Sequence, residues 1–108
     1  MMAEDSRFGT ALEILSHPYR RQLLTALLEA NPQDDDDTDP MNLLAGEEDA
    51  EVLEASLYHS HLPKLEALGF IEWDQATGKI SKGPNWGDIA PLLELIRDHR
   101  DELPDDWL

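Results

Sequence analysis

Leu53, Leu57, His61, Leu65 and Leu68 recur at spacings of three and four residues, and Gly69 follows at once. At about 100° per residue these positions fall on one face of a helix. Glycine is the residue type that closes a helix in a left-handed conformation. A helix with one apolar face of that length must lay that face on other elements, so the rest of the chain has to supply a partner layer. The far face carries Val52, Ala55, Ser56, His59 and Pro63, with Ser60 at its edge and Tyr58 on the flank. Pro63 lacks the N–H that would bond the His59 carbonyl. A kink is therefore expected there, the alternative being a break with Ser60 capping a separate segment.

The flanking sequence supplies that layer. Phe8, Leu12 and Leu15 predict a first helix over Phe8–Ser16. In "SHPYRRQLLTALLEAN" Pro18 suits a first helical turn. Tyr19, Leu23, Leu24, Leu27 and Leu28 make a wide apolar stripe, and Asn31-Pro32 ends the helix. A short helix around Met41–Ala45, a turn at Gly46 and the long helix reproduce the helix-turn-helix plan. In "FIEWDQATGKISKG", Phe70–Trp73 and Lys79–Ser81 read as short strands with "DQATG" turning between them. Trp73 is expected under this hairpin and Trp86 where it hands over to a last helix. Asp88 is the expected cap of that helix, which runs to about Leu103 on Ile89, Leu92, Leu93, Ile96 and Leu103, with Pro91 in its first turn. The fold class is mainly α with a β-hairpin wing: a winged helix-turn-helix plus a C-terminal helix. Residues 1–7 read as a tail and 8–83 as the winged domain with an acidic loop at 33–40. Residues 84–108 read as a C-terminal helix and tail, a candidate dimerisation element, with "DDWL" either a frayed end or a partner-facing anchor. No internal repeat is present.

A chain of 108 residues suits one domain. No apolar run approaches the roughly 20 residues of a membrane span, and "MMAEDSRFGT" lacks the basic flank and apolar stretch of a signal peptide. There is no cysteine, hence no disulfide and no thiolate metal site. A cytoplasmic protein with no membrane partner is expected. Twenty-four acids against eight bases give a net charge of −16. Because the apolar residues are periodic, the globular reading prevails over disorder. In a cytoplasm of molar salt, charges are screened within about 3 Å at 1 M, and a crowded acidic surface costs little self-repulsion. The acid-rich, lysine-poor composition resembles that of halophilic archaeal proteins. "QDDDDTDP" does not fit a calcium loop. Starting at Asp34 or Asp35, the required Gly at position six is Asp39 or Pro40, and the required Glu at position twelve is Ala45 or Gly46. A solvated acidic loop is the better reading.

The stretch "SLYHSHLPKLEALGFIEWD" resembles the recognition helix and wing of ArsR-like winged-helix regulators. His61, Leu62, Leu65, Gly69 and Ile71 fill their "HL..L...G.V/I" pattern, and "ALEILSHPYRRQLLTAL" is similar to their "L..L..P.R..IL..L" opening. The likeness spans about Thr10 to Ser81 and is nearest to small haloarchaeal winged-helix domains in which "LYH.HLPKL" recurs. It implies the fold and DNA binding. Metal sensing in that family uses cysteines, so no metal role carries over.

In a helix-turn-helix the outward face of the second helix lies in the major groove, its N-terminal residues nearest the bases. Val52, Ser56, His59 and Ser60 are then the candidate base readers, against a bland alternative of solvated helix residues. Tyr58 either reaches a phosphate or packs at the core edge. His61, on the apolar side, is expected as a packed, hydrogen-bonded core histidine. Lys64, Lys79 and Lys82 are the candidate phosphate contacts. Arg20 and Arg21 either join them or pair with acids such as Glu13 or Glu54. Glu47, Glu48, Asp49, Glu51 and Glu54 crowd the start of the same helix. Acids favour a helix N-terminus through its dipole, yet in dilute buffer they oppose DNA. His59 and His61, two apart, point about 200° away from each other, so they do not chelate one ion unless the helix breaks. No Gly-rich phosphate loop, nucleophile elbow or metal-ligand cluster is present. No enzyme activity, catalytic residue, cofactor or metal is assigned. The expected partners are double-stranded DNA and a second copy through the last helix. A protein-interaction module docking through its acidic helix is the rival reading.

Overall fold

The computed structural model describes residues 2–29, 39–46 and 48–104. In chain order these form α1 (Met2–Ile14), α2 (Pro18–Glu29), a short α3 (Pro40–Leu43), and a long helix built of α4 (Ala50–Ser56), a π turn (Leu57–His61) and α5 (Leu62–Ala67). The antiparallel hairpin β1 (Ile71–Trp73) and β2 (Ile80–Lys82) follows, then a 3-10 turn at Trp86–Asp88, α6 (Ala90–Asp98) and a 3-10 turn at Arg100–Glu102. The fold is mainly helical with a two-stranded hairpin wing. No helix among the described residues is long and apolar enough to cross a membrane.

One core holds these pieces together. It gathers Ala11, Ile14, Leu15, Leu23, Leu24, Leu27, Leu44, Leu53, Leu57, Leu62, Leu65, Phe70, Ile71, Ile80, Ile89 and Leu93. α3 packs on α2 and α4, α6 on α2, and β1 on α5. The long helix ends as its glycine foretells. Gly69, at φ 80°, donates to Glu66 O (2.9 Å), and Phe70 N donates to Leu65 O (3.1 Å). That is the Schellman closure, with Phe70 and Leu65 both buried as its apolar clasp. In the hairpin, Ile71 pairs with Lys82 and Trp73 with Ile80. Ile71 and Ile80 face the core while Glu72 and Ser81 face water. The Asp74 carboxylate accepts from Ala76 N (2.9 Å) and Thr77 N (3.4 Å), shaping the turn.

The observed boundaries shift the expected ones for physical reasons. α1 starts at Met2, within the expected tail, and stops at Ile14. It packs through Ala11 and Ile14, with Leu15 just past its end, which leaves Phe8 and Leu12 outward at 61% and 49% exposure. The short helix begins one residue early, because Asp39 caps it by accepting from Met41 N at 3.0 Å. The Asn31-Pro32 stop, most of the acidic loop at 33–40 and "DDWL" lie outside the described residues. Asp88 does not cap the last helix. It sits in the 3-10 turn, and Ile89 takes the cap position without a side-chain bond. A cap at Asp88 would draw on the amide two or three residues on, and the third is Pro91, which has none. α6 also stops at Asp98, short of Leu103.

Candidate nucleic-acid interface

The long helix divides its residues as its periodicity requires. Leu53, Leu57, His61 and Leu65 are buried and Leu68 is half-buried. On the far side Val52, Ala55, His59 and Ser60 are exposed, while Ser56 is partly covered. The start is fixed by Asp49, whose carboxylate accepts from Glu51 N at 2.9 Å.

Pro63 perturbs this helix by a π turn. In an unbroken α-helix the Pro63 N–H would bond the His59 carbonyl, and it does not exist. The ladder loosens ahead of it: Leu62 N–H bonds the Leu57 carbonyl, five residues back, instead of that of Tyr58. The helix is continuous, with no Ser60 side-chain cap. The wider turn admits one extra residue, so adjacent His61 and Leu62 both point inward while adjacent His59 and Ser60 both point outward. Leu62, fully buried, lay outside the spacing that marked the inner face. The proline and its place in the "HL..L...G.V/I" pattern were the sequence signals for it.

The inward histidine has company that sequence distance hid. The His17 ring lies 4.3 Å from that of His61, and Tyr19 stands edge-on to both, at 5.1 Å from His17 and 5.8 Å from His61. His17 Nδ1 accepts from Tyr19 N at 3.1 Å, capping the first turn of α2. His61 is 6% exposed, and its Nδ1 has no hydrogen-bond partner among the described residues. It is packed as expected, but by rings rather than by a hydrogen bond at that nitrogen. Burial, reinforced by His17 and Arg20, lowers its pKa to about 4. Burial, then Arg20 and Arg21, also lowers that of His17, against an opposing pull from Glu48. Among the described residues no group of three or more His, Cys, Asp or Glu gathers to hold a metal.

The cations are distributed unevenly. Arg21 Nη1 donates to Leu15 O at 2.8 Å and Arg20 Nη2 to Glu13 O at 3.5 Å, so both address carbonyls at the end of α1. Lys64 stands 3.8 Å from the Glu13 carboxylate, both exposed. On the hairpin, Lys79 is half-buried, and Lys82 is exposed with Nζ 5.4 Å above the Trp86 ring. Tyr58 packs edge-on against Trp73 at 5.1 Å, which makes it the seam between long helix and wing. Glu48, Asp49, Glu51 and Glu54 are exposed around the start of the long helix, and Glu47 lies outside the described residues.

The wing is locked to the helix end. Asn85 Nδ2 donates to Leu68 O (3.0 Å) and Asn85 N to Gly69 O (2.7 Å). Gly83 passes so near that a β-carbon there would sit 2.5 Å from Gly69 O. Neither Asn85 nor Gly83 stood out in the sequence, since their partners lie across the fold.

A family model described as a domain of unknown function, DUF7344, matches residues 12–81. That span holds the later part of α1, the helix-turn-helix and the hairpin, and leaves α6 outside. No curated protein and no solved structure matches the chain.

Proposed function

The chain belongs to the DUF7344 family, a domain of unknown function, and we propose that it is a DNA-binding transcriptional regulator. It works as a homodimer in the salt-rich cytoplasm of a halophilic archaeon. The observation that carries this reading is the long helix, buried along Leu53, Leu57, His61 and Leu65, with Val52, Ala55, His59 and Ser60 bare beside a hairpin. A rod held from behind and open in front is the shape a major groove accepts. The ArsR-like sequence resemblance points the same way. Lys79 and Lys82 on the hairpin, with Lys64, reach for phosphates, while Ser56, His59 and Ser60 address base edges. α6 offers Leu95, 57% exposed, to a second copy.

The net charge of −16 sets the solvent in which this works. Molar salt screens the repulsion between the acidic helix start and DNA. The same salt removes most of the counterion-release attraction. Affinity then rests on base contacts, shape and apolar burial, with a few cations placed locally. The exposed Glu48, Asp49, Glu51 and Glu54 favour the rival, a protein-interaction module that does not bind DNA. Selection of genomic fragments at about 2 M KCl separates the two. Enriched fragments whose binding drops in Lys79→Glu/Lys82→Glu support the regulator. No enrichment, with one protein co-purifying, supports the rival.

A further inference from the structure

From Ala50 to Pro63 the chain contains no Lys, Arg, Asn or Gln. Those are the side chains that grip guanine or adenine edges with two parallel bonds in the major groove. The bare face offers a different set. Val52, 53% exposed, and Ala55 present methyl groups one turn apart, and the carboxylate of exposed Glu51 flanks them. All three precede the π turn, in the part of the helix that enters a groove first. The Glu51 backbone N–H is already bound by Asp49, so its side chain is what remains to make contact.

Each of these groups has one good partner among base edges. A methyl packs on the C5-methyl of thymine, and a carboxylate accepts from the N4 amino group of cytosine. The carboxylate also repels guanine O6 and N7, which are acceptors. Apolar contact and a short acceptor–donor bond do not depend on counterion release, so molar salt leaves them standing.

We infer that Glu51, Val52 and Ala55 read a pyrimidine-rich strand in each half-site, thymine through its methyl and cytosine through its amino group. The inference rests on the DNA-binding reading above. It is tested by selecting binders from a random duplex pool at about 2 M KCl, then replacing each thymine of the selected site with deoxyuridine. Loss of one buried methyl lowers affinity by about fourfold. Val52→Ala is expected to abolish that sensitivity at one position. Glu51→Gln, which exchanges an acceptor for a group that suits adenine, is expected to shift one position from cytosine towards adenine. A selected site that tolerates every deoxyuridine, or a motif unmoved in both variants, overturns the pyrimidine reading and leaves DNA binding intact. Failure of the pool to yield any site overturns the DNA-binding reading and this one with it.

Discussion

The two halves of the long helix share one backbone and differ in what holds them. Over Ala50–Ser56 a single residue, Leu53, is buried, and Glu51, Val52, Glu54 and Ala55 meet solvent. From Leu57 to Leu68 the helix sinks Leu57, His61, Leu62 and Leu65, turns wide at the π segment, leans on the His17 ring and closes on Gly69 and Asn85. The first half is presented and the second is anchored. A groove-reading element needs both, since a free face places side chains reproducibly only when its root cannot move.

The strongest test of that division is truncation. Leu57→Ala, at a fully buried site, is expected to cost about 2–5 kcal/mol. Val52→Ala in the presented half is expected to stay within about 0.5 kcal/mol. Urea unfolding followed by circular dichroism at about 2 M KCl reads both, and equal losses would erase the distinction.

Acid comes next. His61 stays neutral in the folded protein down to about pH 4 but titrates at 6.5 in the unfolded chain. Below pH 6.5 the unfolded state therefore takes up a proton that the folded state refuses. The stability contributed by this one group falls as pH drops from 6.5 towards 4, by about 3 kcal/mol. His17, shifted in the same direction, adds to the fall. His61→Leu is expected to flatten this limb. A full acid limb in His61→Leu would mean the buried imidazole is not its source.

Gly69→Ala probes the closure of the anchored half. A left-handed alanine costs about 1–2 kcal/mol, and its β-carbon would fall 2.5 Å from Asn85 Nδ2. Hydrogen exchange is expected to quicken at Leu65–Phe70 and to stay unchanged at Ala50–Ser56. The smallest effect belongs to Lys64→Ala. Its exposed pairing with Glu13 at 3.8 Å is worth less than about 1 kcal/mol, so thermal unfolding is expected to move little.

What could be read in the residues themselves was what local spacing controls. The Leu53-to-Leu65 face, the Gly69 stop, the turn at Gly46 and the two strands all depend on neighbours within a few positions, and all are present. What escaped depends on elements that meet only in three dimensions. The side of α1 that faces inward was marked by bulky Phe8 and Leu12, yet smaller Ala11 with Ile14 and Leu15 fits against the rest of the core. His17 and His61 are far apart in the chain and stack in the fold. For Arg20 and Arg21 the expected alternatives are phosphates or acids such as Glu13; Arg20 does feel the Glu13 charge, and both also donate to the Glu13 and Leu15 carbonyls at the end of α1, which spacing did not mark. Pro63 was foreseen as a kink. Its actual outcome, one added residue in a single turn beside buried Leu62, required the core to have room for it.

Asn85 joins two parts of the molecule, the hairpin and the long helix. By gripping the Leu68 and Gly69 carbonyls, it rivets the stem of the hairpin to the butt of the rod. A molecule that pushed on the hairpin would press first on that joint, the fixed end of the rod, while Val52 stands seventeen residues back from Gly69 at the other end.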